Sequence, residues 1–407
     1  MSRVNKKILL VVLSCILLVG VFLTIYSDHK NNNSISSSAS SSLHSSSVKG
    51  SLVSKANNLL IGLVIDNEIN FIMSKTGATA VTIAIAKDGV IEYEKAYGFK
   101  DAAKTIPLKN DALMRTASIV KPVTAAALRK LAEDGVLQLS DHAFCTGNNS
   151  PCWLPSTLLS PTTDPRVRDI TIQQLIEHKG GRSREPDPID TEAQCKTIYG
   201  KCPPNRIDIV KYMMTLPLDY TPGSSTNVDT YSNFGYLVLG MIIEQASHMT
   251  YTEYVQNAVM APLGIASSDF KAGASLPADH DSREPIYIST QMAPSVFNIG
   301  TNAPFAEEGF VGQNWIAVGS SISTAKTMAL FASAYMLPSG ERLKANSTND
   351  GIHLGSVDGT STIVRQLPSG VSYSIFINIA IPQYFYTSIK TDLDKISHDE
   401  IASESGI

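Results

Sequence analysis

The stretch Met114-Arg-Thr-Ala-Ser-Ile-Val-Lys-Pro-Val-Thr-Ala-Ala-Ala-Leu-Arg-Lys-Leu-Ala-Glu-Asp134 decides how the chain is read. Its pattern predicts a helix start, with Ser118 and Lys121 in the first turn and Pro122 where few hydrogen bonds are lost. Residues three apart on a helix share a face, so the Ser118 hydroxyl can meet the Lys121 amine, a nucleophile beside a candidate base. The unpaired N–H groups and partial positive charge of a helix N-terminus favour an anion developing at the serine. Ala125, Ala126, Ala127, Leu128 and Leu131 carry the helix onward, and Gly135 is its expected stop.

Ser-x-x-Lys alone says little: it occurs five times, at Ser27, Ser46, Ser118, Ser268 and Ser323, and an isolated instance reads most simply as a helix N-cap with a solvated lysine. Two later motifs single out Ser118. Tyr231-Ser232-Asn233 opens an apolar helix, Phe234 to Ala246. A phenol beside a lysine cation can serve as base or acid near Ser118, and Asn233 offers both a donor and an acceptor to a substrate amide. The plainer alternative is an aromatic packed at a helix entrance. His353-Leu354-Gly355 stands immediately before the last expected hairpin, where a strand edge could lend the Ser356 N–H to an oxyanion hole completed by that of Ser118. His178-Lys179-Gly180 carries the same His-x-Gly letters earlier, so chain order decides between them.

Two hairpins bracket this region. Val81 to Ala86 and Val90 to Tyr97 flank Lys87-Asp88-Gly89, an Asp-Gly turn signal, and Ser361 to Gln366 and Val371 to Ile379 flank Pro368-Ser369-Gly370. Ile61, Ile65, Ile69 and Ile72 recur at helical spacing ahead of the first hairpin. With a mainly helical middle between strand-rich ends, the expected fold is α+β, an antiparallel sheet assembled from both ends of the chain, flanked by helices, with an inserted helical lobe.

The N-terminus has a different character. Arg3, Lys6 and Lys7 precede an uncharged apolar run from Ile8 to Tyr26, long enough to cross a bilayer with the rest of the chain outside. Residues 1–26 are thus expected to be a membrane anchor, a cleaved signal segment being the rival; residues 27–50, rich in Ser and Asn, a flexible linker; and residues 51–407 one catalytic-size domain. The 33 Lys and Arg nearly balance the 37 Asp and Glu, which argues against a nucleic-acid partner. Cys145 and Cys152, and Cys195 and Cys202, each bracket a short loop, and in an exported domain two local disulfides are the natural reading. Zinc is the rival, but neither spacing suits a zinc knuckle, and no metal or organic cofactor is implied.

Ser-x-x-Lys, Tyr-x-Asn and His-x-Gly in this order resemble the serine β-lactamase and penicillin-binding-protein-like superfamily, in particular its branch of class C β-lactamases, D-aminopeptidases and carboxylesterases. The likeness extends to Thr79–Gly98, to Ile172–Gly181, to Pro222-Gly223 ahead of the second motif, to Ala261–Gly264 after it, and to a helix expected over Gly319–Phe331. It implies a β-lactamase/transpeptidase-like fold, with Ser118 as acylated nucleophile, Lys121 and Tyr231 sharing its proton, Asn233, His353 and Gly355 on the substrate, Ser118 and Ser356 N–H groups on the oxyanion, and His178 holding a loop. The substrate would be a small ester, amide or β-lactam, a peptidoglycan peptide included. A cell-wall D,D-peptidase and a penicillin-recognising protein without turnover are the alternatives. β-Lactamases of this superfamily usually carry lysine where this chain has His353. A histidine is mostly neutral at pH 7, so strong β-lactamase activity is not expected.

Overall fold

The computed structural model describes residues 62–399 apart from 148, 345, 346 and 348; the expected anchor over 1–26 and linker over 27–50 lie outside the described residues. Five strands form one antiparallel sheet: β1 (Ala80–Lys87), β2 (Val90–Gly98), β3 (Gly351–Val357), β4 (Thr360–Gln366) and β5 (Val371–Ile377), in the order β3-β4-β5-β1-β2. The two ends of the chain meet where β1 pairs with β5, Val81 opposite Ile377 through Lys87 opposite Val371. The first turn forms as its letters suggest, with Asp88 at φ 49° and Gly89 at φ 82°, the left-handed pair that a tight hairpin needs.

Alternation in β1 sorts the two faces. Val81, Ile83 and Ile85 point to one side, where they meet Ile65, Ile69 and Ile72 of helix α1 (62–76) and Phe385, Tyr386, Ile389 and Leu393 of helix α5 (Gln383–Asp399). Each α1 isoleucine there is at most 1% exposed, a burial that stabilises by roughly 1.5–3 kcal/mol per side chain. Ile61 lies outside the described residues. On the other face Ala84, Ala86, Val364 and Phe376 join the core of the helical lobe. Small residues line that face where helix α4 (Ala325–Ala334) crosses it: Ser372 donates to the Ala329 carbonyl at 2.8 Å, which lets helix and sheet approach closely.

Between β2 and β3 lies the lobe, built around helices α2 (Lys121–Glu133) and α3 (Asn233–Ser247). Nine α2 residues are buried, so α2 is a central element rather than a surface one. Two expectations shift. Ser118 lies not in α2 but on a 3₁₀ turn, Ala117–Val120, that feeds it. The helix expected over Gly319–Phe331 starts only at Ala325, because residues before it form a π turn, Ile316–Ser320, and a short strand, Ser321–Ser323, that pairs with Met114–Arg115.

Candidate active site

Ala117, immediately before Ser118, has φ 44°, a left-handed conformation uncommon for a residue with a side chain. Its neighbours hold it there. Thr116 N–H and hydroxyl both donate to the Ser321 carbonyl, at 2.8 and 2.9 Å, and the Thr362 hydroxyl of β4 donates to the Thr116 carbonyl at 2.8 Å. Ser118 is therefore presented on a turn clamped by two strands.

Lys121 is 1% exposed, and its Nζ donates to Ser118 Oγ at 3.0 Å and to the Val318 carbonyl at 2.9 Å. Tyr231, 113 residues away in sequence, places its hydroxyl 2.7 Å from the same Ser118 oxygen, and Lys121 Nζ lies 4.9 Å from its ring centroid. The serine thus sits between an amine and a phenol. A second ring fixes the phenol: His178, at φ 57°, stacks on Tyr231 at 4.5 Å and accepts from the Ser232 N–H through Nδ1 at 3.0 Å. Ser232 in turn caps α3 by accepting from the Gly235 N–H. The expectation that His178 holds a loop is met, and the loop it holds carries the tyrosine.

The third motif lies on β3, the edge strand, with His353 opposite Val364, Gly355 opposite Thr362 and Ser356 opposite Ser361. Gly355 is required by a close approach. A Cβ there would stand 2.2 Å from Thr362 Oγ1 and 2.8 Å from Ser118 N, below any tolerable separation. From behind, Tyr386 of α5 donates to the Gly355 carbonyl at 2.8 Å. Burial, reinforced by the Lys121 ammonium, pushes His353 down to about 3, and His178 likewise to about 3, so both imidazoles are neutral at physiological pH. His353 Nε2 is buried without a partner among the described residues.

Ser118 and Ser356 open onto one cleft of about 160 Å³, also lined by Asn233, Asp187, Asp190 and Arg184. Asn233 Nδ2 donates to Asp187 Oδ2 at 2.6 Å. Asp187 is 6% exposed, and burial raises its carboxyl above the usual range. Buried Glu192, pushed up to about 7 by burial, accepts from Val311 N–H, Asn314 Nδ2 and Trp315 Nε1, anchoring the segment that runs on to Val318 at the cleft.

A serine oxygen between two proton carriers, beside a strand edge, is an arrangement suited to acyl transfer. The family model described as Beta-lactamase matches residues 65–368. The chain belongs to the β-lactamase family.

Among curated relatives, it is 28% identical to Protein flp of Staphylococcus aureus over 208 residues, 51% of this chain and 38% of that protein. It is also 28% identical to Penicillin-binding protein 4* of Bacillus subtilis over 190 residues, 45% of this chain and 36% of that protein. It therefore spans less than two fifths of the length of either relative. Among solved structures, a D-amino acid amidase from Ochrobactrum anthropi SV3 superposes with a TM-score of 0.59 at 20% identity, covering 85% of this chain and 99% of that one. An octameric penicillin-binding protein homologue from Pyrococcus abyssi gives 0.57 at 21%, covering 83% and 79%. At these identities the likeness establishes the β-lactamase/transpeptidase-like fold.

On that β-lactamase-family scaffold Ser118, Lys121 and Tyr231 converge, Asn233 and Ser356 border the cleft, and Gly355 and His353 lie on the strand that carries Ser356, Gly355 against the Ser118 backbone. Asp187, Glu192 and the Val318 carbonyl have no place in the three motifs. Asp187 caps a one-turn helix, Pro188–Thr191, too short to carry a periodic pattern, and a carbonyl carries no sequence letter, so neither is marked as a site by the sequence. Cys145 bonds Cys152 and Cys195 bonds Cys202, which fits an oxidising compartment outside the cytoplasm. Among the described residues no cluster suited to a metal ion occurs, and no helix is long and apolar enough to cross a membrane; the expected span over residues 8–26 lies outside them.

Proposed function

We propose that this chain is a serine hydrolase that forms an acyl-serine intermediate from a small ester or amide and then hydrolyses it. The observation that carries the reading is the pair of distances on Ser118 Oγ, 3.0 Å to Lys121 Nζ and 2.7 Å to Tyr231 OH. Free serine is a poor nucleophile and needs a base within hydrogen-bond reach. When Ser118 gives up its proton, one of these two contacts runs from the serine outward; Oγ bonds the carbonyl carbon, the bond from that carbon to the ester oxygen or amide nitrogen breaks as the adduct collapses, and the proton passes through Lys121 and Tyr231 to the departing group. A water molecule then repeats the sequence on the acyl-serine and restores the hydroxyl. The Ser118 and Ser356 N–H groups take the oxyanion in both halves. Relatives named as an amidase and as penicillin-binding proteins support an acyl-transfer reading. The domain works outside the cytoplasm, tethered through residues 1–26, a location that the two disulfides favour.

His353 sets the substrate preference. A buried neutral imidazole offers no standing positive charge to the carboxylate of a β-lactam. With the full-length protein, a short-chain p-nitrophenyl ester is expected to be turned over with a kcat/KM at least about 100-fold above that of a chromogenic cephalosporin, the scale of losing one charge-assisted hydrogen bond. Faster cephalosporin turnover would show that His353 substitutes for lysine and that the ester reading is wrong. The close approach at Gly355 carries a further expectation: Gly355→Ala pushes β3 away from Ser118 N and lowers kcat/KM on the ester by on the order of 100-fold, the usual penalty of misplacing reacting groups by about 1 Å. Wild-type kinetics in that variant would remove β3 from the oxyanion site.

A further inference from the structure

The Ser356 N–H assigned to the oxyanion belongs to an edge strand. β3 pairs with β4 on one side, while Ser356 and Val357 line the cleft. Residue 355 has to be glycine to pass Ser118 N, and glycine puts the fewest steric limits on its own backbone. The Gly355 carbonyl and the Ser356 N–H share one peptide unit, planar and trans, so the two bonds point in opposite directions and whatever fixes one fixes the other. Tyr386 of α5 donates to that carbonyl at 2.8 Å. Its side chain is 4% exposed, packed in the core that α1 and α5 form with the sheet. Burial holds the phenol above its ordinary value, an effect moderated by the Ser361 and Ser356 hydroxyls, so it keeps its proton and stays a donor. The helix that carries it is anchored away from the cleft. The Ile381 N–H, just before α5, donates to Ser361 Oγ of β4 at 2.9 Å; Asp394 accepts from Arg365 Nη2 of β4 at 2.9 Å and from the Tyr373 hydroxyl of β5 at 3.0 Å.

We infer that Tyr386 is a positioning residue for the reaction at Ser118: by holding the Gly355 carbonyl from behind the sheet, it aims and polarises the Ser356 N–H that meets the oxyanion. The inference rests on the serine-hydrolase reading. Tyr386 touches neither substrate nor reacting atoms, and acts through one peptide unit. As negative charge grows on the substrate oxygen, donation from the Ser356 N–H makes the peptide oxygen a better acceptor, so the Tyr386 bond strengthens in step. A bond that is stronger in the transition state than in the ground state raises kcat and leaves substrate binding unchanged. It also supplies the stiffness that glycine cannot, since a donor is worth most when its direction is set before the charge appears.

The test compares full-length wild type, Tyr386→Phe, Tyr384→Phe and Ser118→Ala on a short-chain p-nitrophenyl ester. Tyr386→Phe keeps the ring and deletes one oxygen, and Tyr384→Phe makes the same deletion at a 66% exposed position of the same helix. Tyr386→Phe is expected to lower kcat and kcat/KM together by about tenfold with KM near wild type, a smaller loss than the roughly 100-fold or more that removing an oxyanion donor itself brings. Tm should stay within a few degrees, and Tyr384→Phe should behave as wild type. A second readout is the infrared carbonyl stretch of the acyl-serine formed with p-nitrophenyl pivalate, isotope-labelled at its carbonyl. Only folded protein acylates Ser118, so the band reports the folded fraction even where a variant is less stable. A weaker oxyanion donor lengthens the C=O bond less, and the band in Tyr386→Phe is expected at higher wavenumber than in wild type. Kinetics within twofold of wild type, a loss confined to KM, an equal loss in Tyr384→Phe, or a loss of activity with an unshifted band would each overturn the role of Tyr386 and leave the serine hydrolase standing. Turnover that survives Ser118→Ala would instead overturn the parent reading.

Discussion

Ser118→Ala is expected to lower ester kcat/KM by about 10⁴-fold or more, because removing the nucleophile of a coupled catalytic unit costs as much as removing the unit. The residual rate would come from the oxyanion donors and binding alone. Stability should hardly change. Ser118 Oγ is met by Lys121 and Tyr231, and Lys121 keeps the Val318 carbonyl when the serine is gone, so the loss is of the order of one hydrogen bond, about 1 kcal/mol. Intact-mass analysis after exposure to an acylating probe gives the direct readout. Wild-type protein gains the mass of one acyl group and the variant gains none; a variant still labelled to the same extent would place the nucleophile elsewhere.

Lys121→Met keeps an unbranched stem of similar length in a site that is 1% exposed while deleting the amine. Losing a positioned proton carrier costs about 10²- to 10⁴-fold in kcat. KM should stay close to wild type, because Lys121 lies behind the serine and is not among the residues lining the cleft. Thermal stability separates this role from a structural one. Burying an ammonium is expensive, so replacing it with a thioether is expected to leave Tm within a few degrees of wild type even though the Val318 carbonyl loses its donor. A variant with both Tm and kcat reduced, or with kcat within tenfold of wild type, would assign Lys121 to scaffolding.

The stack between His178 and Tyr231 explains why two histidines of the same short motif take different parts. Both are neutral for the same reason, burial beside the Lys121 ammonium, yet one holds the tyrosine and the other lies on the edge strand with an unpartnered nitrogen. Letters alone could separate them only by their order along the chain.

What the sequence determined by itself is what depends on near neighbours. Asp88-Gly89 specifies a hairpin because its conformation is chosen within two residues, and the alternation of Val81, Ile83 and Ile85 sets which side of the sheet meets α1. Ser118 and Lys121 meet because three residues of helical or 3₁₀ rise bring them onto one face, which is why the pair survives although the turn proved to be 3₁₀. Ordered motifs extended that local reading to a whole family. Only the tertiary structure decided what arrives from far along the chain: the Tyr231 hydroxyl from 113 residues away, the Val318 carbonyl behind Lys121, and the Asp187 carboxylate that orients Asn233. A backbone carbonyl has no residue identity to read, and an aspartate capping a single helical turn has no period. Their positions follow from how the lobe packs against the sheet, a sum over many weak contacts that no single stretch of sequence contains.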